Sequence, residues 1–325
     1  MEHRQRDEQA PIIDVRGVRK TFGKFVALDQ LSLSIPRASV GLLGANGAGK
    51  TTLIRTLLGL IAPDQGTATV VGYDTQTHGV DVRERVGYMP EADALPSSTT
   101  AADFVAHMAE MSGLPTRAAR QRAADVLYQV GLEEQRYRLI KGFSTGMRQR
   151  VKLAQAIVHD PELVFLDEPT AGMDPNGREE MLELVERIYR NLGIAVVFSS
   201  HILEDIERVC DYVVILDHGR LVTAQPLNEL GTIGGEVVVV IDGDQRSFAQ
   251  AIAQQGIAIR ESESEVGARE LVVDVTDERI YDVIRDTVVA QDVVLRSLRS
   301  RSRSLEDIYL GDVSAMREEV QTHGH

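Results

Sequence analysis

Three glycines, a lysine and two threonines fall within Gly44-Ala45-Asn46-Gly47-Ala48-Gly49-Lys50-Thr51-Thr52, a spacing suited to gripping a polyphosphate. The core of this stretch, Gly44-x-x-x-x-Gly49-Lys50-Thr51, fits the phosphate-loop pattern. Glycines let backbone N–H groups turn inward without obstruction, making a nest for phosphate oxygens. Lys50 brings a point charge for the β- and γ-phosphates, and the Thr51 hydroxyl can ligate Mg²⁺. Gly44, Asn46, Gly47, Ala48, Gly49, Lys50, Thr51 and Thr52 are therefore the candidate nucleotide contacts. The preceding "SVGLL" reads as a buried strand. Leu53, Leu57 and Leu60 then recur at helical spacing, predicting a helix with one buried face.

Carboxylates follow downstream. The apolar run Leu163 to Leu166 predicts a parallel strand covered on both faces, ending in Asp167 and Glu168. Neighbours on an extended strand point opposite ways, so Asp167 can serve the Mg²⁺ shell while Glu168 polarises the attacking water. A second apolar strand, "IAVVF", runs into Ser199, Ser200 and His201. Ligands gather at the carboxyl ends of parallel strands, which brings His201 toward Glu168 and a γ-phosphate. His78, His107, His159 and His218 lack such a setting, and the terminal "THGH" reads as a frayed tail. In "FSTGMRQRVKLAQAI", Ser144 caps a helix whose Val151, Ala154 and Val158 share a face, leaving an anion-accepting N-terminus.

These residues, in this order, resemble the ATP-binding subunits of ABC transporters over about residues 12–228. "GANGAGKTT" is similar to the Walker A loop, "VGYMPE" to the Q-loop segment and "FSTGMRQR" to the signature. "LVFLDEP" resembles the Walker B strand, and "AGMD" with the later "SSH" the D-loop and switch histidine. The resemblance implies a P-loop α/β core with an antiparallel β subdomain and a helical subdomain. It also implies ATP and Mg²⁺ as ligands, a sandwich of two copies, and a separate transmembrane permease as partner. Lys50, Glu168 and His201 would be catalytic, with Thr51, Asp167 and Glu91 at the metal. Ser144 and Gly146 would reach the γ-phosphate held by the opposite subunit, and Asp174 would sit at the dimer seam. Phe22 falls where an aromatic stacks on adenine, with a packed strand aromatic as the competing reading.

Three positions depart from the family pattern: Thr145 for a glycine, Met147 for a glutamine, and Glu91 for the Q-loop glutamine. Glu91 still offers oxygen to metal or water but adds negative charge, so slower or more Mg²⁺-dependent turnover is expected. "PE" and "GMRQR" variants resemble the daunorubicin-resistance-like export ATPases, pointing to export of a drug, antibiotic or lipid-like substrate.

Composition agrees. The 325 residues are 43% hydrophobic and 26% charged, an ordinary globular balance. A net charge of −14 opposes nucleic acid as the main partner. That charge also weighs against the alternative of a soluble ABC ATPase acting on nucleic acid or the ribosome. No apolar run is long enough to span a bilayer and the start carries no secretory signal, so a cytoplasmic chain touching the membrane only through its permease is expected. The single cysteine, Cys210, reads as a buried small hydrophobe rather than a reactive thiol.

The expected organisation is a polar tail over 1–11, the ATP-binding domain over 12–228, with a helical part at about 92–160, and an α+β domain over 235–313 before a tail at 314–325. Thr100 and Asp103 suggest a helix cap, followed by Phe104, Met108 and Met111 as core residues at helical spacing. Beyond residue 235 the β-α-β-β-α-β order suits a ferredoxin-like domain, helping to hold or regulate the dimer. Its Arg296, Arg299, Arg301 and Arg303 could touch anionic lipid, although a solvated strand face is the simpler reading.

Overall fold

The structure, a computed structural model, describes residues 10–92, 94–229, 236–263, 269–275 and 279–301. The first nine residues, the side chain of Arg301, Arg303, "SLEDIYLG" and the terminal tail lie outside the described residues. The chain divides into two compact units, Met1–Gln225 and Pro226–His325.

The first unit begins with two strands of period-two alternation, β1 (Ile13–Phe22) and β2 (Phe25–Ile35). They pair antiparallel around Gly23 and Lys24, with Phe22 opposite Phe25. Next come β3 (Ser39–Leu43), α1 (Lys50–Leu57), β4 (Gln65–Val70), β5 (Tyr73–Asp74), α2 (Gly79–Arg85) and β6 (Val86–Met89). The helical stretch holds α3 (Ala101–Met111), α4 (Thr116–Gln129) and α5 (Thr145–Ile157). The chain returns through β7 (Leu163–Asp167), α6 (Pro175–Leu192), β8 (Ala195–Ser200), α7 (Leu203–Val209), β9 (Tyr212–Asp217) and β10 (Arg220–Pro226).

Two sheets result. An antiparallel one runs β2-β1-β4-β5, and a six-stranded one runs β10-β9-β3-β8-β7-β6. Strands β9, β3, β8, β7 and β6 are parallel. Every residue of β3, β7 and β8 is buried, because helices pack over them: α7 on β3 and β8, α6 on β8, α5 on β7. Their carboxyl ends carry the phosphate loop, Asp167 with Glu168, and His201 to one end of the sheet.

Two expectations about helices are corrected. Helix α1 ends at Leu57, so Leu60 lies beyond it and is 56% exposed, while Ile54 is buried instead. On α3 the core face is Ala101, Val105, Ala106 and Ala109. Small side chains there let α3 and α4 approach closely. Met111, 72% exposed, is not core, while Phe104 and Met108 on the same stripe are half-buried. The Thr100 cap is present, its hydroxyl accepting from the Asp103 N–H at 3.1 Å. Cys210 is buried, and burial pushes its thiol up to about 12.

In the second unit, β11 (Glu236–Asp242), α8 (Gln245–Ala253), β12 (Ile259–Glu263), β13 (Arg269–Asp274), α9 (Arg279–Ala290) and β14 (Val294–Arg301) form a ferredoxin-like α+β fold. Its sheet runs β12-β13-β11-β14, with antiparallel neighbours. Val237, Val239, Ile241, Leu271 and Val273 pack against Phe248, Ile252, Ile280 and Ile284 of the two helices. Arg296 donates to Asp242 at 2.6 Å and Arg299 to Glu270 at 2.5 Å, which gives both guanidiniums partners other than a lipid headgroup. Among the described residues no helix is long and apolar enough to cross a membrane.

Candidate nucleotide-binding and hydrolysis site

The phosphate loop joins the end of β3 to the start of α1. Gly47 and Gly49 hold φ of +86° and +104°, and a Cβ on Gly49 would lie 2.6 Å from the Ala27 carbonyl oxygen. Only glycine suits that position. Ala48, within the same loop, is buried. A buried ammonium needs partners. The Lys50 ammonium, 7% exposed, donates to the Gly44 carbonyl at 2.6 Å and stands 3.8 Å from Glu168 Oε1.

Asp167 closes β7 among hydroxyls. Its Oδ2 accepts from Thr51 Oγ1 at 3.2 Å and its Oδ1 from Ser199 Oγ at 2.8 Å. Ser199 Oγ in turn accepts from the Glu168 N–H at 3.0 Å. Glu168 is not on the strand: the chain turns to φ +50° there. A left-handed turn, rather than strand alternation, separates the two acids, and for a non-glycine residue this costs about 1–3 kcal/mol. The turn carries Glu168 Oε2 to 2.9 Å from His201 Nδ1. A carboxylate can only accept, so the proton of this bond sits on the imidazole. Nearby, burial and then the charge of Asp167 push the Tyr88 phenol up.

A cavity of about 430 Å³ lies over these groups, lined by Asn46, Gly47, Gly49, Lys50, Thr51, Thr52, Glu91, Asp167, Glu168 and His201. Its donor set suits a triphosphate: loop backbone and an ammonium at the base, an acid and imidazole above. The neighbouring Thr51 hydroxyl and Asp167 carboxylate suit Mg²⁺, which takes one or two protein oxygens and leaves its other positions to phosphate and water. Bound there, the ion would offset negative charge on the β- and γ-phosphate oxygens.

Ser144, Gly146 and Asp174 are elsewhere. They line a separate cleft of about 480 Å³, with none of the first cavity's lining residues in it. Ser144 caps α5, its Oγ accepting from the Met147 N–H at 3.3 Å. Asp174 precedes Pro175 as the N-cap residue of α6, without a side-chain cap bond.

Sequence reasoning missed two residues of the site. Phe25, 59% exposed, lines the first cavity, whereas Phe22 does not. The tight turn between them was the available signal, since it makes the two rings cross-strand neighbours. Replacing both rings by alanine is expected to raise the KM for ATP at least about fivefold with kcat little changed, as stacking is worth about 1–3 kcal/mol per base. Steady-state kinetics of the single variants then apportion the effect. Ser199 was legible only as a polar strand end, yet it fastens both acids.

Fold and site together define a P-loop nucleoside triphosphatase. Residues 28–171 match the ABC transporter family model. The chain is 31% identical over 306 residues to the linearmycin resistance ATP-binding protein LnrL of Bacillus subtilis (strain 168), covering 92% of this chain and 97% of that one. It is 35% identical over 241 residues to the daunorubicin/doxorubicin resistance ATP-binding protein DrrA of Streptomyces peucetius, 74% of this chain and 73% of the other. Among solved structures, cbiO1 from Clostridium perfringens shares the fold at TM-score 0.63 and 24% identity, over 76% of this chain and 97% of that one. The ADP- and Pi-bound post-hydrolysis dimer of the cassette MJ0796 gives TM-score 0.60 at 22% identity, over 66% and 98% of the two chains. The chain belongs to the ABC transporter ATP-binding family and is an ATPase.

Proposed function

We propose that this chain powers export through a separate membrane permease, working as a sandwich of two copies with ATP and Mg²⁺ between them. The observation that carries the reading is the separation of two incomplete clefts on one chain: the phosphate loop with its acids, and the serine-capped helix end with Asp174. An isologous pairing across a two-fold axis, in which each copy's serine-capped helix end meets the other's phosphate loop, joins each cleft to its complement. Lys50 and the loop N–H groups hold the phosphates, while Thr51, Asp167 and Glu91 serve the metal shell. Glu168 polarises the attacking water, and His201, fastened to Glu168 at 2.9 Å, reaches the γ-phosphate. Ser144 and Gly146 of one copy close over the triphosphate cradled by the other. Phe25 meets the base, with Phe22 beside it across the turn. Water cleaves the γ-phosphate from ADP, and once that phosphate leaves nothing bridges the two copies; their separation drives the permease.

Export is supported by the resistance functions named for LnrL and DrrA. The permease contact is supported by Met111, 72% exposed at the end of an α3 stripe that it shares at i, i+4 and i+7 with the half-buried Phe104 and Met108. The chain would then lie in the cytoplasm, peripheral to the membrane. The net charge of −14 disfavours the ribosome or nucleic acid as partner.

The test is membrane retention. With the permease co-expressed, Met108→Asp together with Met111→Asp is expected to lower the membrane-bound fraction at least about tenfold, as charging an interface centre does. ATP turnover by the released chain should persist. Undiminished retention in the variant, or none in the parent, would sink the permease reading.

A further inference from the structure

Lys152 is 3% exposed, in the interior of α5. Lysine is almost never fully buried unless something holds its charge. Here its Nζ donates to the backbone carbonyl of Glu91 at 3.0 Å. Three residues earlier on the same helix, the Gln149 amide Nε2 donates to the Ala171 carbonyl at 3.3 Å. Glu91 and Ala171 both line the nucleotide cavity, one on the loop after β6, the other just past Glu168. The two borders of the cavity are therefore tied to one rigid helix by side chains a single turn apart.

Glu91 itself is exposed and lies in a loop. A carboxylate on such a loop is placed only as well as its backbone is held. Of the two ties, the lysine contact acts on the residue that carries the acid. We infer that Lys152 is a positioning residue for hydrolysis: from inside the signature helix it holds the Glu91 backbone and so fixes where that carboxylate meets the cavity. The inference rests on the proposed role of Glu91 at the metal and water. It adds that the helix capped by Ser144, which closes over the partner's nucleotide, also sets the geometry of the chain's own site. Glu91 is thus linked to the second cleft through α5.

The test uses the full chain with Lys152→Met, Glu91→Ala and the double variant. Outer-shell partners of metal sites typically govern affinity or activity by 10–100-fold. Lys152→Met is expected to lower kcat about tenfold and raise the Mg²⁺ concentration for half-maximal rate, with the KM for ATP changing less than about twofold. In the Glu91→Ala background the same change should cost almost nothing further, because the group it positions is gone. Losses that multiply, or a raised KM with unchanged kcat, would overturn the role. If the methionine variant does not fold, Lys152→Gln, polar but too short to reach the Glu91 carbonyl, takes its place in the double-variant comparison. Coupled losses there uphold the role and multiplying losses overturn it. Turnover by the parent chain is measured alongside. No turnover there defeats the underlying reading, whereas normal turnover with uncoupled losses defeats Lys152 alone.

Discussion

Glu168→Gln is expected to cut ATP turnover by about 10³-fold while leaving ATP binding intact, so that an ATP-bound dimer accumulates. The carboxylate lies 2.9 Å from His201 Nδ1 and 3.8 Å from the Lys50 ammonium, in a pocket where it is 10% exposed. Glutamine preserves its size and can still meet the imidazole, but it cannot draw a proton from water. A positioned general base contributes about 10²–10⁴-fold, or roughly 3–5 kcal/mol of barrier. The groups that hold phosphate, namely Lys50, Thr51 and the loop backbone, are untouched. Removing the acid also lessens negative charge beside the phosphates, which favours binding. Single-turnover hydrolysis and size-exclusion chromatography with ATP and Mg²⁺ read the two halves of the claim. A variant that stays monomeric and hydrolyses ATP at the parent's rate would defeat the assignment.

The second large effect concerns mixing. Lys50→Ala and Ser144→Ala are each expected to lose at least about 10² in rate, because in the proposed sandwich each removes a group directed at transition-state charge. Neither defect lies in the cleft that the other damages. Combined in equal amounts, the variants should recover about a quarter of parental activity, since random pairing makes half the dimers mixed and each mixed dimer holds one intact site. Ser144 also caps α5, and losing such a cap costs about 1 kcal/mol, so the melting midpoint of that variant is measured in parallel. No recovery, with mixed pairs demonstrated by differential tagging, would rule out shared sites.

The legible parts of this protein were those in which chemistry and local pattern coincide. The phosphate loop needs glycines and a lysine at set spacing whatever surrounds it. The buried runs Ser39–Leu43 and Leu163–Asp167 are apolar almost throughout because parallel strands are covered on both faces. Ser144 and Thr100 cap helices through residues three positions on, a wholly local bond. The β-α-β-β-α-β succession of the second unit could likewise be read in order along the chain.

Two misreadings have separate physical causes. Helical spacing says that Phe104, Met108 and Met111 lie on one face of α3, but not whether that face meets the core or a partner. Ala101, Val105 and Ala109 took the core, because small residues allow the tighter approach to α4. Leu60 failed as a buried position because the helix that would have carried it stops at Leu57.

The sequence by itself determined the nature of the chemistry: the phosphate grip, the paired acids, the histidine and the capped helix are residue types at short spacings, fixed by covalent connection and local hydrogen bonding. Tertiary structure alone decided their arrangement. It set the left-handed turn that swings Glu168 to His201, the Ser199 hydroxyl that binds across 32 residues to Asp167, and the Lys152 contact across 61 residues to Glu91. It also set the sheet order β12-β13-β11-β14. Such contacts depend on which distant segments pack together, a choice made by burial of the whole core rather than by the pattern of any one segment.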